Sequence, residues 1–201
     1  VDHRRVADSG PQGLGEGVRL QMKGLVTIGV SAAAGGGKST LVRALGERID
    51  GAVMVFFDDH PVTMPSNPLQ WLAEGADFNE WKSDSLEAEL ASLRDRRVPV
   101  VFEAPLGRAH AATGRFIDFL VFIDTPLEVA LARWVRRRMS ESSLVEEIPV
   151  LLDIYETVLR PVYLEQRQQV MPDADLVVDG LSEVDMWVDQ VLRVVTAAGL
   201  P

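Results

Sequence analysis

The residues with the clearest chemical potential lie in a glycine-rich stretch at positions 32–40, which reads AAAGGGKST. Its spacing follows the phosphate-binding pattern GxxxxGK[ST], except that Ala32 stands where the pattern has its first glycine. Backbone N–H groups of such a loop can surround a phosphate, and the N-terminus of a following helix adds partial positive charge. A Gly/Ala turn that happens to precede a lysine is the alternative interpretation. The residues predicted to bind the phosphates of a nucleoside triphosphate are Ala33, Ala34, Gly35, Gly36, Gly37, Lys38, Ser39 and Thr40.

Three side chains at the end of this stretch have separate predicted roles. The Lys38 ammonium would reach the β- and γ-phosphates, and the Ser39 hydroxyl would coordinate Mg²⁺. Thr40 is placed to contact the α-phosphate. We therefore expect Lys38 to be catalytic and Ser39 to be a metal ligand.

Acidic residues follow two later apolar runs. Asp58 and Asp59 come directly after residues 52–57 (AVMVFF), and Glu103 ends residues 98–103 (VPVVFE). In phosphoryl transfer the protein mainly positions groups and neutralises charge, while one acid can accept the proton of the attacking hydroxyl. We predict that Asp58 is this base, and that Asp58 and Glu103 help to hold Mg²⁺. A turn or helix cap for the aspartates, and a solvated strand end for Glu103, are the alternatives.

Four arginines form a cluster in an otherwise acidic chain, at positions 133, 136, 137 and 138. A polar, acidic stretch follows, so residues 136–149 are predicted to form a short lid that clamps the transferring phosphoryl group. Residues at i and i+4 share a helix face, which favours Arg137 and then Arg133 as the catalytic arginines. The alternative is that these cations merely stabilise a helix C-terminus.

The elements that position these groups are apolar runs alternating with helical patterns. The predicted strands cover residues 25–31, 52–57, 98–103, 118–124 and 174–179. The predicted helices cover residues 38–49, 84–97, 126–139, 150–170 and 182–197. Near-continuous apolar strands separated by helices indicate an α/β fold with three layers and a five-stranded parallel sheet, whose ligands bind at the carboxyl ends of the strands.

The domain organisation is predicted to be simple. Residues 1–23 lack apolar periodicity and are interpreted as a flexible leader, and residues 24–201 as one domain. Within that domain, residues 60–82 are irregular and rich in proline and aromatic residues. We interpret residues 60–82 as a segment on the acceptor side of the site.

Composition excludes several classes of function. The chain has no cysteine, so disulfides, thiolate zinc sites and cysteine nucleophiles are excluded. A net charge of −10 argues against a nucleic-acid partner. No apolar run approaches the roughly 18 residues of a membrane span, and no signal peptide is recognisable. We expect a cytoplasmic protein, monomeric or homodimeric, with no membrane partner.

Taken together, these residues resemble the uridine kinase and nicotinamide riboside kinase group of P-loop kinases. The similarity extends over residues 24–195, and its specific stretches are residues 27–40, 57–59, 102–103, 160–163 and 174–180. The resemblance implies a P-loop NTPase fold, use of ATP with Mg²⁺, and a small-molecule acceptor with a hydroxyl group. The sequence departs from the pattern of this group at His60, where the group has an aromatic residue, and over residues 104–116.

The same resemblance implies that the acceptor lies under the segment after the second strand and beside the lid. Stacked aromatic rings would suit a flat ring, and arginines would suit hydroxyl or carbonyl groups. Core packing is the alternative for the two tryptophans. The candidate acceptor-binding residues are Asp58, His60, Trp71, Trp81, Arg108, Tyr155 and Arg160.

The expected function is therefore ATP-dependent phosphorylation of a hydroxyl on a small molecule, with a nucleoside or related riboside as the first candidate. An antibiotic-modifying or pantothenate-type phosphotransferase on the same fold is one alternative. A regulatory ATPase without an acceptor is another. The chain has no Asn-Lys-x-Asp run of the kind that recognises guanine.

Overall fold

The computed structural model describes residues 26–141 and 148–198 of the 201-residue chain. The predicted leader and residues 142–147 of the predicted lid lie outside the described residues. A single parallel sheet with strand order β2-β3-β1-β4-β5 forms the centre of the fold. Its strands are β1 (Thr27–Ser31), β2 (Val53–Val55), β3 (Val100–Glu103), β4 (Phe119–Asp124) and β5 (Leu176–Asp179). The predicted five-stranded α/β fold is confirmed.

Helices cover both faces of this sheet. They are α1 (Lys38–Arg48), α2 (Pro68–Ala73), α3 (Asp84–Asp95), α4 (Ala111–Gly114), α5 (Leu127–Glu141), α6 (Ile148–Ile154), α7 (Arg160–Val170) and α8 (Val184–Ala197). On one face α1 and α8 pack against β1, β4 and β5, and on the other face α3 and α7 pack against β2, β3 and β4. No helix of the described residues is long and apolar enough to cross a membrane.

Burial explains why these runs became strands. Every residue of β1 and β3 is buried, and β4 is buried except at its last residue. Strands covered on both faces need apolar side chains in both directions, which is why their sequences show no alternation. The carboxyl ends of β1, β2 and β3 meet at one edge, where the loop at 32–40, Asp58 and Glu103 follow them.

The second strand is shorter than predicted. β2 ends at Val55, and Phe57–Asp59 forms a 3₁₀ turn instead of continuing the strand. The Phe57 N–H donates to Glu103 Oε2 at 3.0 Å, so the chain turns where its backbone bonds to a side chain rather than to a neighbouring strand. This turn brings Asp58 over the sheet edge.

The predicted helix over residues 150–170 is interrupted. It begins at Ile148, contains a π-helical turn at Tyr155–Leu159 and continues as α7. Pro161 follows the turn, and since proline has no N–H to donate, the regular ladder of hydrogen bonds cannot pass through it.

The predicted acceptor-side segment, expected to be irregular, contains regular structure: α2, a 3₁₀ turn at Phe78–Glu80, and an antiparallel bridge between Thr63 and Lys82.

Candidate active site

The loop between β1 and α1 has the shape of a phosphate cradle. Gly35 and Gly37 adopt φ angles of +76° and +106°, which side chains other than glycine rarely tolerate. A Cβ atom on Gly35 would lie 2.1 Å from the Ala130 carbonyl oxygen, so this glycine is also required by close packing against α5. Ala32 is buried and is not among the residues of the described chain with positive φ. The first glycine of the pattern is therefore dispensable in this backbone.

Lys38 folds back over the loop. Its Nζ donates hydrogen bonds to the carbonyl oxygens of Ala32 at 3.0 Å and Ala33 at 3.2 Å. Burial lowers the pKa of Lys38 from its usual value, while the carboxylates of Glu103 and Asp58 act in the opposite direction. An ammonium has three donors, so the two bonds to the loop fix the orientation of Lys38 and leave one N–H for a phosphate oxygen.

Ser39 and Glu103 form a buried pair at the start of α1. The Ser39 hydroxyl donates to Glu103 Oε1, while Glu103 Oε2 accepts from Phe57 N–H. The described residues contain no group of three or more His, Cys, Asp or Glu side chains that could hold a cation alone. A hydroxyl backed by a carboxylate suits Mg²⁺, which keeps several waters and is shared with substrate phosphates. These residues fit a magnesium–nucleotide complex.

A cavity of about 490 Å³, here called the nucleotide cavity, opens above the loop. Its walls come from the loop, from α5, from residues 181–183 and from the first turn of α8. The predicted catalytic and phosphate-binding residues that line it are Ala34, Gly35, Gly37, Lys38, Ser39, Thr40, Asp58, Glu103, Arg133 and Arg137. The structure therefore brings together most of the phosphate-binding residues, both metal-site carboxylates and the two favoured arginines.

The two arginines differ in their surroundings. Arg133 donates from Nη1 to the Gly180 carbonyl oxygen at 3.2 Å, which ties α5 to the end of β5. Arg137 lies close enough to Lys38 to depress its pKa further. Both side chains face the same cavity, as their i, i+4 spacing predicts. A hinged lid stays a prediction, because α5 extends only to Glu141 and residues 142–147 are outside the described chain.

A smaller cavity of about 220 Å³, here called the second cavity, lies on the other side of the loop. Side chains of Phe57, Trp81, Leu106 and Tyr163 form much of its wall. Three residues line both cavities: Ala34, Lys38 and Asp58. The carboxylate of Asp58 therefore lies where a group in the second cavity would meet a phosphate in the nucleotide cavity.

Of the predicted acceptor-binding residues, the structure brings Asp58 and Trp81 to the second cavity. Trp71 is buried behind that wall, where it packs against Phe78 and donates from Nε1 to the Asp77 carbonyl at 3.0 Å. His60 contacts Ser85 at 3.1 Å and Glu89 at 3.3 Å on α3. Trp71 and His60 line neither cavity.

The other three predicted acceptor-binding residues, Arg108, Tyr155 and Arg160, lie outside the two cavities. Arg108 donates to Asp175 Oδ2 at 2.6 Å and to the Asp173 carbonyl at 2.9 Å, which joins the chain after β3 to the start of β5. The Tyr155 hydroxyl donates to the Leu127 carbonyl at 3.3 Å, and Arg160 is exposed. None of the three lines either cavity.

Two polar residues of α7 that line the second cavity, Tyr163 and Gln166, were not predicted. Burial raises the pKa of Tyr163 to about 12, while the Ala34 backbone acts in the opposite direction. Gln166 is buried and its Nε2 donates to the carbonyl oxygens of Pro105 at 2.5 Å and Ala32 at 3.2 Å. Their i, i+3 spacing on one helix face was the available signal in the sequence.

The chain matches no protein-family model. It is 20% identical to a uridine kinase of Ligilactobacillus salivarius (strain UCC118) over 193 residues, which cover 82% of this chain and 89% of that protein. It is 24% identical to a uridine kinase of Pectobacterium atrosepticum (strain SCRI 1043) over 186 residues, covering 76% and 86% of the two proteins.

Solved structures share the fold at low identity. A sugar kinase from Janibacter sp. HTCC2649 superposes with a TM-score of 0.53 at 17% identity, over 88% of this chain and 97% of that one. The crystal structure of APE1195 gives a TM-score of 0.55 at 13% identity, over 88% and 98% of the two chains. Together with the phosphate cradle described above, the chain is therefore similar in sequence to these uridine kinases and shares the α/β fold of these solved structures.

Proposed function

We propose that the chain transfers a phosphoryl group from ATP in the nucleotide cavity to a hydroxyl group of a small molecule in the second cavity. The observation that carries the proposal is the shared wall of the two cavities, which consists of Ala34, Lys38 and Asp58. A carboxylate and an ammonium at such a junction are the groups that an in-line transfer needs.

Each residue of the junction has a separate task. Asp58 is exposed toward both cavities and accepts the proton of the acceptor hydroxyl. Lys38 and the loop amides bind the phosphate oxygens, while Arg137 and Arg133 neutralise charge from the side of α5. Ser39, oriented by Glu103, would hold Mg²⁺. Mg²⁺–ATP, when bound, supplies the phosphoryl group and offsets its charge.

A nucleoside or related riboside is the first specific acceptor to test. Its support is the name of the two curated relatives, both uridine kinases, together with the similar stretches of sequence. Uncharged alcohols of other kinds form the second class, which is favoured by the apolar wall of the second cavity. Pantothenate and hydroxylated antibiotics complete the range of acceptors on this fold.

The experiment is a coupled assay of ADP release by the full chain with Mg²⁺ and ATP, run with each acceptor class in turn. We expect at least one acceptor to raise ADP release tenfold or more above the rate without acceptor, with the phosphorylated product detected by mass spectrometry. ATP binding without any acceptor-dependent release would instead support a regulatory ATPase.

A further inference from the structure

We propose that the second cavity takes an alcohol whose remaining body is compact, uncharged and mostly apolar. This inference rests on the proposed function and names the class of acceptor at the same site. The apolar lining of the cavity, the small number of polar and charged groups in its wall and the size of the space support it.

The wall is mostly apolar. Of the fourteen residues that line the second cavity, ten carry side chains that are aliphatic, aromatic hydrocarbon, thioether or indole. Phe57, Phe78 and Trp81 contribute rings on one side, and Leu106, Leu159 and Val162 contribute aliphatic groups. Such a surface gains affinity by removing apolar area of the ligand from water, and its rings suit stacking against a flat or saturated ring.

The neutral polar groups of the wall are few: the Tyr163 hydroxyl, the Gln166 amide and the indole Nε1 of Trp81, which is buried and has no hydrogen-bond partner. Gln166 Nε2 has hydrogen bonds to two carbonyl oxygens and lies 3.5 Å from Ser31 Oγ, so both of its N–H groups point away from a ligand. The Tyr163 hydroxyl lies near the Ala34 backbone and still has its O–H to donate. Because the wall has so few polar groups, a ligand with several polar atoms would lose more hydration than these groups replace, which lowers its affinity.

Among the residues that the structure describes, the charged groups of this wall lie only at the junction with the nucleotide cavity. Lys38 and Asp58 are the two charged residues among the lining residues, and Lys38 is bonded to the loop. Arg108, which the sequence suggested as a partner for acceptor hydroxyl or carbonyl groups, is paired with Asp175 instead. A carboxylate or phosphate on the body of the acceptor would thus be buried near Asp58 without a cation of its own.

Size limits the acceptor as well. A volume of about 220 Å³ falls below the roughly 300–1,000 Å³ typical of pockets for drug-sized ligands. The cavity suits a single ring bearing a hydroxymethyl group better than a sugar joined to a polar base. The wall therefore favours apolar-ring alcohols over nucleosides, although the curated relatives are uridine kinases.

The test compares acceptors that differ in size, polarity and charge, in the full chain with Mg²⁺ and ATP. Benzyl alcohol and cyclohexylmethanol represent the proposed class, uridine the nucleosides, and pantothenate the anionic alcohols. We expect kcat/KM for the first two to exceed that for uridine and pantothenate by at least tenfold. Ligand-observed NMR titrations with ADP present should give the same order of Kd, independently of turnover.

A matched pair of variants tests whether apolar-ring alcohols bind in the second cavity. Met64 lines the second cavity and is 57% exposed, so Met64→Gln adds polarity with little risk to folding. Met186 is 53% exposed on α8 and lines neither cavity, so Met186→Gln is the control. We expect Met64→Gln to raise the Kd of benzyl alcohol about threefold to tenfold, with the affinity for ADP unchanged, and Met186→Gln to change neither.

The outcomes separate this inference from the proposed function. Preferential turnover of uridine or pantothenate would overturn the inference and leave the kinase function standing. Absence of turnover, with benzyl alcohol bound in a manner sensitive to Met64→Gln, would support the inference and overturn the kinase function. No binding of either apolar-ring alcohol at millimolar concentration would overturn the inference.

Discussion

Asp58 and Glu103 are carboxylates at the same sheet edge with opposite environments. Glu103 is 3% exposed and both of its oxygens accept hydrogen bonds, from Ser39 and from the Phe57 N–H. Asp58 is exposed and lines both cavities. A carboxylate that is already bonded is suited to orienting its neighbours, whereas an accessible one can accept a proton. These surroundings support the proposed roles of Asp58 as the base and of Glu103 as the metal-site acid.

We expect Asp58→Asn to lower kcat by about 10²–10⁴-fold, since the amide cannot accept the proton of the acceptor hydroxyl. The Kd of ADP should stay within about threefold, because the loop amides and Lys38 are unchanged. Steady-state kinetics with the best acceptor and a titration with ADP would measure the two effects.

Asp59→Asn is the matched control for this variant. Asp59 is the next residue, is also exposed and lines neither cavity, so its kcat should remain within twofold of the parent. An equal loss of kcat in Asp58→Asn and Asp59→Asn would show that Asp58 is not the base. A kcat for Asp58→Asn within tenfold of the parent would show the same.

At the scale of elements, the wall of the second cavity depends on how residues 60–82 are anchored. His110 is buried before α4, with Nε2 3.2 Å from the Trp81 carbonyl oxygen and Nδ1 2.8 Å from Thr113 Oγ1. A carbonyl only accepts, so Nε2 carries the proton and Nδ1 accepts from the threonine hydroxyl. The Ala111 N–H donates to Asn79 Oδ1 at 2.8 Å nearby. Two bonds thus join this segment to α4.

The burial of His110 is predicted to make stability depend on pH. Burial lowers the pKa of His110 from its usual value near 6.5, so the folded state favours the neutral ring. The contribution of His110 is fully present above pH 6.5 and is lost as the pH falls through its lower folded pKa. We expect urea unfolding to show that His110→Gln destabilises the chain more at pH 7.5 than at pH 5.

Asn79→Ala removes the second bond without removing a histidine and is the control. We expect Asn79→Ala to destabilise the chain equally at the two pH values. Asn79 also donates hydrogen bonds to the Asp77 carboxyl and so lowers its pKa below 3.8, which means that Asp77 is ionised at both pH values. A loss for His110→Gln that is equal at pH 7.5 and pH 5 would contradict the role assigned to the neutral ring.

Local signals made much of the fold and part of the site predictable. The buried strands appear as apolar runs, and Lys38 and Ser39 follow from glycine spacing before a helix. Other features depend on distant partners. Gln166 bonds to Ala32, 134 residues away, and Arg108 pairs with Asp175, 67 residues away. Nothing in a local pattern distinguishes an arginine that binds a ligand from one that joins two elements.

At the scale of the molecule, parts of the chain far apart in sequence hold the phosphate loop. Thr125 Oγ1, after β4, donates to the Gly36 carbonyl at 2.9 Å, and the Trp187 ring of α8 lies next to Gly37. Residues 181–184 form the far wall of the nucleotide cavity. A nucleotide there contacts both the first loop and the last elements, so its binding should stabilise the molecule as a whole.

We expect ADP at 100 times its Kd to add about 2.7 kcal/mol to the free energy of unfolding. At about 2–4 °C per kcal/mol for a chain of this size, Tm should rise by about 5–11 °C in a thermal melt.

Gly35→Ala should lose most of this rise, because its Cβ would lie 2.1 Å from the Ala130 carbonyl oxygen and displace the loop. Gly51→Ala is the matched control, since Gly51 has a similar φ of +70° but no atom within 4 Å of the added Cβ. Both variants carry the same backbone strain and should melt lower without ADP, yet only Gly51→Ala should keep the full rise. An undiminished rise in Gly35→Ala would show that close packing of the loop against α5 is not required for nucleotide binding.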